Sequence, residues 1–295
     1  MTTTSVAAPP ARPLDSTRPR PPNLLAQQIT GRQYLSHSQI ALMRACPRKF
    51  AFQYVENAPK DFVPSSLIFG GSIHRALELY FRCRLEGLAV TPQALLSAYH
   101  DRWKQQRQEA GGDAVPVRFN KGEDANSVHA CADRIITAFL GSPLASPKGT
   151  ILGIEEELKV VLDLQIPDLL AKVDLVTHTD GALHVIDWKT SRSRWNEQKA
   201  QENGEQLVLY GATVGAMSVS LNLPVKLHFA IVTKAKKPQV QLIPVPGDSG
   251  RLEQLKENIG QVWQAIQSGN FYPSPSPQHC TTCPFRSRCP VFAQP

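Results

Sequence analysis

Asp187 and Lys189 stand two residues apart in the stretch 183–191, LHVIDWKTS. The stretch alternates apolar and polar residues as a strand does, and successive strand side chains point to opposite faces. Asp187, Lys189 and Val185 therefore share one face, while Ile186 and Trp188 share the other. This puts the charged pair at the end of an otherwise buried strand. A carboxylate and an ammonium held side by side can place a hard cation and orient a nucleophilic water. Upstream, residues 154–179 predict two strands around a turn near Pro167 and Asp168, and the second, LLAKVDLVT, carries Asp174 between apolar neighbours. Magnesium and manganese prefer oxygen ligands, and phosphodiester hydrolysis uses a metal to activate water and to neutralise charge on the transferring phosphoryl group. Asp174 and Asp187 are the two ligands these strands can supply.

A second constellation closes the chain, where QHCTTCPFRSRCP sets out Cys280, Cys283 and Cys289 with two and five residues between them. A disulfide among three thiols leaves one unpaired, and nothing marks the chain as secreted, so metal binding is favoured. Zinc is the ordinary occupant of clustered cysteines, and the fourth ligand is open between His279 and the distant Cys46. Cys83 and Cys131 fall in predicted helices and read as buried thiols.

The elements that must position these groups can be followed along the 295-residue chain. Residues 1–30 read as a disordered Pro- and Arg-rich tail, with little that could form a core up to about Asn23. The prolines at 9, 10, 13, 19, 21 and 22 argue against the amphipathic helix of a transit peptide. Residues 31–295 are expected to form a single domain. LSHSQIALMRACPRKFAFQY predicts a helix capped by Ser36 or Ser38 that runs to Ala45 and is interrupted at Pro47, with Cys46 at the interruption. Arg48 and Lys49 beside it read either as phosphate contacts or as a solvated helix face.

A helical region spans 67–141. Gly70 and Gly71 open a helix with Ile73, Leu77 and Tyr80 or Phe81 on its apolar side, and His74 lies one position round. A lone histidine on a helix is more often structural than a ligand, although histidine is the side chain most versatile in metal and proton chemistry. Further helices, broken around Gly111, Gly112 and Pro116, carry Trp103 and Phe139 as core anchors. The sheet is expected over 151–245. It opens with Glu155, Glu156 and Glu157, which read either as solvated edge charges or as supplying one metal-proximal carboxylate. After the Asp187 strand, Arg192 and Arg194 are candidates for phosphate contact, ahead of a helix over about 197–217. Gln206 and Tyr210, four apart, share one face of that helix. Strands at 226–233 and 239–245 follow, joined by a basic turn with Lys234, Lys236 and Lys237 that reads either as a phosphate-backbone contact or as solvated, and a last helix at 249–267 leads to the cysteine clip at 280–289.

Composition sets the outer bounds. A hydrophobic content of 42% is enough for a sizeable core. No run of eighteen apolar residues occurs, so no membrane span or membrane partner is expected. The net charge of +7 suits a polyanionic partner, although such a balance is also common in ordinary cytosolic proteins. The phosphate loop G-x-x-x-x-G-K-[ST] is nowhere in the chain, so any motor is another polypeptide.

The order Gly71-Ser72-Ile73-His74, Asp174, Asp187-Trp188-Lys189, Gln206 and Tyr210 resembles the PD-(D/E)XK nuclease superfamily, specifically its RecB-like branch. The resemblance implies an α/β fold with a restriction-endonuclease-like core: a mixed β-sheet flanked by helices, and a helical insertion that arches over the active site. It also implies His74, Asp174 and the Trp188 carbonyl as metal ligands with Asp187 as the central one. Lys189 would polarise the attacking water, and Gln206 and Tyr210 would fix Lys189 and the DNA. The chain differs from the family pattern at Ala171 and Leu175, where Gly and Arg are frequent.

One cysteine before the core and three after it resembles the iron-sulfur nucleases: the AddB type, the eukaryotic nuclease-helicase branch and the CRISPR adaptation nucleases. That implies a [4Fe-4S] cluster on Cys46, Cys280, Cys283 and Cys289 joining the N- and C-terminal segments, with zinc as the alternative. The expected activity is that of a cytoplasmic, magnesium- or manganese-dependent deoxyribonuclease, an exonuclease on single-stranded DNA or DNA ends. It would serve recombination, repair or phage DNA processing, with a separate helicase or recombination protein as a possible partner. Alternatives are a CRISPR-adaptation-type nuclease, a non-catalytic DNA-binding subunit of a helicase-nuclease complex, and a zinc-stapled nucleic-acid-binding protein without catalysis.

Overall fold

In the computed structural model the described residues are 23–221, 223–247 and 249–293, and the Pro- and Arg-rich stretch up to residue 22 lies outside them. The tail assignment fails for residues 24–30, which form the helix α1 (Leu24–Thr30). The Asn23 side chain accepts the Ala26 amide at 2.9 Å, and Gly31 ends the helix in the left-handed region at φ 69°. Ala26 and Thr30 are buried, so a capped, half-apolar turn is held by packing that composition could not reveal.

The chain then forms β1 (Tyr34–Ser36) and α2 (His37–Ala45), whose start is a capping box between Ser36 and Gln39. Cys46 is the break before α3 (Pro47–Phe50), which opens on proline as expected for a first helical position. After β2 (Val63–Pro64) comes α4 (Ser65–Leu85), so Gly70 and Gly71 lie inside this helix instead of opening it. Gly71 serves close approach: a Cβ there would sit 2.5 Å from the Gln106 side chain of α5 (Pro92–Glu109). Gln106 uses that space to donate to the Ile68 carbonyl at 2.9 Å and the Ser72 hydroxyl at 3.1 Å. β3 (Val117–Arg118) pairs with β2, and α6 (Ala125–Leu140) follows.

Together α4, α5 and α6 form a packed layer on the sheet, with Ile73, Leu77, Phe81, Trp103 and Phe139 buried in one core. The insertion is therefore a layer of the fold that lends a wall to the cleft, not a free-standing arch. Cys131 is buried as expected, but Cys83 is only half-buried on α4.

The sheet comprises β4 (Thr150–Val160), β5 (Asp168–Thr179), β6 (Ala182–Ser191), β7 (Val225–Thr233) and β8 (Val240–Val245), with β1 added beside β5. β6 and β7 run parallel, and α7 (Glu197–Glu202) and α8 (Glu205–Leu221) make the crossover between them. The single helix expected at 197–217 is thus two, broken at Asn203 and Gly204; a Cβ on Gly204 would sit 2.8 Å from a Val245 methyl of β8. The crossover packs on the face carrying Val185, Leu183 and Phe229. A third cluster joins α1, α2 and α3 to α9 (Ser249–Gln267) through Phe50, Ile259 and Trp263, and α10 (Pro277–Cys280) starts the terminal segment. Among the described residues no helix is long and apolar enough to cross a membrane.

Trp188 is anchored from behind by Phe81 and Phe139, with ring centroids at 6.0 and 5.3 Å. Phe139 is fully buried. Its replacement by alanine is expected to cost about 3–5 kcal/mol in chemical denaturation through lost burial and the cavity left. A loss under about 1 kcal/mol would mean that this ring stack does not hold β6.

Candidate active site

The site begins where the sheet splits. β4 pairs one edge of β5 along almost its whole length, from Leu169 to His178. On the other edge, Leu175 to Thr179 pair with β6 and Asp168 to Leu170 pair with β1. Between them Ala171 to Asp174 have no strand beside them, because β6 turns away after Ile186 to follow β7. The Trp188 amide, which would have bonded to β5, donates instead to the Asp174 carboxylate at 2.6 Å. A side chain has replaced a ladder acceptor, and in doing so Asp174 is fixed at the mouth of the opening.

Opposite Asp174, Glu155 of β4 takes φ 53°. A non-glycine residue in that region costs roughly 1–3 kcal/mol and persists only where its surroundings impose it. Glu156 and Glu157 remain exposed, but the Glu155 side chain is only 10% exposed. His74 arrives from α4 with Nδ1 3.3 Å from Asp174 Oδ1 and 3.6 Å from Glu155 Oε1. One ligand atom from each of His74, Glu155 and Asp174 falls within 4.8 Å of the others. Lys172 closes this side, 3.0 Å from the other Glu155 oxygen.

Asp187 and Lys189 do share a face, with Lys189 Nζ 2.6 Å from Asp187 Oδ2. The ammonium donates to Gln206 Oε1 at 2.9 Å, and Gln206 donates in turn to the Tyr210 hydroxyl. The four-residue spacing on α8 thus works as a relay that fixes Lys189. The Trp188 side chain is buried in the layer beneath α4, leaving its backbone at the site.

Electrostatically the pocket is divided. Burial opposes charge on His74, but the Asp174 and Glu155 carboxylates outweigh it and push the imidazole up to about 10. Burial likewise works against the Asp174 charge, and the neighbouring His74 still holds it below the usual range. Asp187 goes the other way: burial, with Asp174 adding to it, overrides Lys189 and raises its carboxyl to about 6. Burial also keeps the Tyr210 hydroxyl protonated. Asp187 Oδ2 is buried and, despite its nearness to Lys189, accepts no well-aligned hydrogen bond. The His74, Glu155 and Asp174 group fits a divalent cation, with Asp187 lining the same cleft outside that three-residue group, and the nitrogen favours manganese as well as magnesium.

These groups line one open cleft of about 1510 Å³, which also takes in Leu67, Gly70, Arg75, Arg102 and Gln105. All of His74, Asp174, Asp187, Lys189, Gln206 and Tyr210 meet there. Glu155 is the residue whose place sequence reasoning left open, since a run of three glutamates does not say which turns inward.

The four cysteines gather far from that cleft. Cys46, Cys280, Cys283 and Cys289 line one small, partly open cavity, together with Lys49 and Arg286. Burial pushes the Cys283 thiol up, and the nearby Cys46 and Cys289 add to it. His279 lies at the same cavity. The terminal segment is tied down by Ser287, whose amide donates to Asp61 at 3.1 Å, by Arg288, which donates to the Pro59 carbonyl at 3.1 Å, and by the buried Phe285 against Phe52.

A mixed sheet flanked by helix layers, split so that carboxylates and a histidine converge at the opening, defines a restriction-endonuclease-like fold with a candidate divalent-metal site. The chain belongs to the PD-(D/E)XK nuclease superfamily, whose family model matches residues 34–290. That superfamily is one of nucleases that typically use divalent metals. Among curated proteins it is similar to the Gene 69 protein of Mycobacterium phage D29, 26% identical over 137 residues, covering 46% of this chain and 48% of that protein. The Gene 69 protein of Mycobacterium phage L5 is 28% identical over 120 residues, covering 41% and 39%. The chain thus matches about half or less of the length of these curated relatives. A crystal structure from Eubacterium rectale, provisionally assigned as an exonuclease, shares the fold with a TM-score of 0.55 at 15% identity, over 92% of this chain and 91% of that one.

Proposed function

We propose that this chain is a magnesium- or manganese-dependent deoxyribonuclease of the RecB-like, AddB-type iron-sulfur branch, acting as an exonuclease on single-stranded DNA or DNA ends in the cytoplasm. The observation that carries this reading is the convergence of Asp174, Asp187, Lys189 and His74 in one open cleft. The exonuclease mode draws on the provisional assignment of the Eubacterium rectale protein. Residues 31–295 act as one nuclease domain, with α1 packed onto it, and a separate helicase or recombination protein would supply any unwinding.

His74, Asp174, Asp187 and the Trp188 carbonyl hold the cation, with Glu155 as a further carboxylate beside it. When bound, the cation supplies charge neutralisation at the phosphoryl oxygens and eases loss of a proton from water. Lys189, held by Gln206 and Tyr210, orients that water for in-line attack on phosphorus. The water oxygen bonds to phosphorus, the opposite P–O bond breaks, and the departing oxygen takes up a proton. Because Gln206 only positions Lys189, Gln206→Ala is expected to slow cleavage about 10- to 100-fold while DNA affinity holds. An equal loss of affinity would make Gln206 a DNA contact instead.

We assign Cys46, Cys280, Cys283 and Cys289 to a [4Fe-4S] cluster. The gathering of the four cysteines at one cavity supports a shared metal group, and the resemblance to the iron-sulfur nucleases favours the cluster over zinc. Lys49 and Arg286 offset its thiolate charge, and the Ser276 amide donates to Cys280 Sγ at 3.3 Å, a contact of the kind that tunes such clusters.

The test is cleavage of end-labelled linear and of circular single-stranded DNA by anaerobically purified protein, with manganese and with chelator. Loss of linear substrate alone, abolished by chelator, supports the exonuclease; cutting of circles makes it an endonuclease. No cutting of either favours the non-catalytic subunit.

A further inference from the structure

On the other side of the first turn of α4, a second pocket of about 560 Å³ opens among Ser66, Phe69, Glu123, Cys131, Arg134 and Lys234. Sequence reasoning gave Arg134 no role and read Lys234 as part of a basic turn that either touches a DNA backbone or is solvated. The fold brings them together because the Lys234 amide donates to the Ser191 carbonyl at 2.7 Å, docking the turn after β7 onto the end of β6. The Lys234 side chain then lies over the Phe69 ring, 4.4 Å from its centre. Arg134 reaches the pocket from α6, and its Nε is buried with no hydrogen-bond partner.

Neither cation forms an ion pair among the described residues. The one carboxylate lining the pocket, Glu123, accepts from Asn120 at 2.7 Å. Burial pushes Lys234 below the usual ammonium range, and the charge of Arg192 adds to that push against the opposing influence of Cys131 and Glu123. Two cations lining one pocket, with the charge of Arg192 near enough to be felt at Lys234, gain most from an anion. Ser66 lines both the pocket and the cleft, so the two lie on either side of the first turn of α4.

We propose that this pocket is a phosphate subsite, in which Arg134 and Lys234 hold a second phosphate of the same nucleic-acid strand whose scissile phosphate lies in the cleft. The proposal rests on the nuclease reading above, and it makes the edge of α4 the divider between the phosphate that reacts and one that is only gripped. The gripped phosphate is either internal to the strand or terminal.

The experiment measures binding of single-stranded DNA by the intact chain across a salt titration, for wild type and the Arg134→Gln/Lys234→Gln double variant. Each lost phosphate contact lowers the slope of log K against log salt by about 0.7 for single strands, so the double variant should lose about 1.4 and raise KM about tenfold or more. Lys234→Arg keeps the charge and should restore most of the loss contributed by Lys234→Gln; failure to do so, with a normal melting profile, would count against phosphate contact. An unchanged slope and KM overturn the subsite. Comparing 5′-phosphorylated, 5′-hydroxyl and circular strands separates the sources. A loss common to all three means an internal phosphate, whereas a loss confined to phosphorylated ends means a terminal one. Wild-type protein that binds but leaves DNA uncut in manganese defeats the nuclease reading, while the slope comparison still decides the subsite.

Discussion

Asp187→Asn is expected to lower cleavage by about 10³-fold or more, since it removes the central carboxylate from a site whose metal contributes several kcal/mol of transition-state stabilisation. The fold should not suffer. Asn has the same shape, and Asp187 is 1% exposed with its carboxyl raised to about 6 by burial and by Asp174. A carboxyl whose folded pKa lies above its unfolded value of about 3.9 costs stability when ionised. That cost is full above about pH 6 and disappears as pH falls towards 4. In chelator at neutral pH the variant should therefore be as stable as wild type or more so, by on the order of 1 kcal/mol, and the difference should vanish in acid. Lys189 keeps its hydrogen bond to Gln206 in the variant and so is not stranded. Cleavage persisting within tenfold of wild type would remove Asp187 from the centre; a collapsed fold would show that the pair with Lys189 holds the strand.

Cys283→Ala is expected to abolish bound iron and visible colour and to lower stability by on the order of 3 kcal/mol or more, because metal-binding energy is folding energy for a segment with little core of its own. Beyond α9 the chain contributes few buried side chains, chiefly Phe285. Its other ties include backbone hydrogen bonds from Arg48 to Tyr272 and from Asp61 to Pro284, the Phe271 ring on Phe50, and exposed hydrogen bonds from Ser287, Arg288 and Arg118, each worth little alone. Without the cluster the C-terminal segment should detach from α3 and become sensitive to protease. Cys131→Ala serves as the control, since Cys131 is buried beneath α4 and should leave the iron content unchanged. Retained iron, colour and melting temperature in Cys283→Ala would refute the cluster; zinc in place of iron would keep the staple and change its metal.

Much of this protein was legible along the chain because its elements carry local signals. The alternation of 183–191 encodes β6 and places Asp187 and Lys189 on one face. The four-residue spacing of Gln206 and Tyr210 encodes their shared helix face. Ser36, three residues before Gln39, encodes the start of α2. Such signals survive because periodicity and capping depend on neighbours a few residues away.

What the sequence left open depends on partners far along the chain. Only the pairing of β5 with both β1 and β6 opens the edge at Asp174 and hands the Trp188 amide to a carboxylate. Glu155 takes a left-handed backbone and meets His74 and Lys172, partners on other elements, so no local pattern could tell it from Glu156 and Glu157. Helix α1 was lost to the tail because its stability comes from burial against later elements. Cys46 and Cys289 are separated by nearly the whole domain, and Arg134 and Lys234 by the sheet; the fold alone makes neighbours of them. The sequence by itself determined the elements and which residue types face which way, since those follow from short-range sterics. Only the tertiary structure decided which groups share a cavity, because that is set by how strands and helices pair over long range.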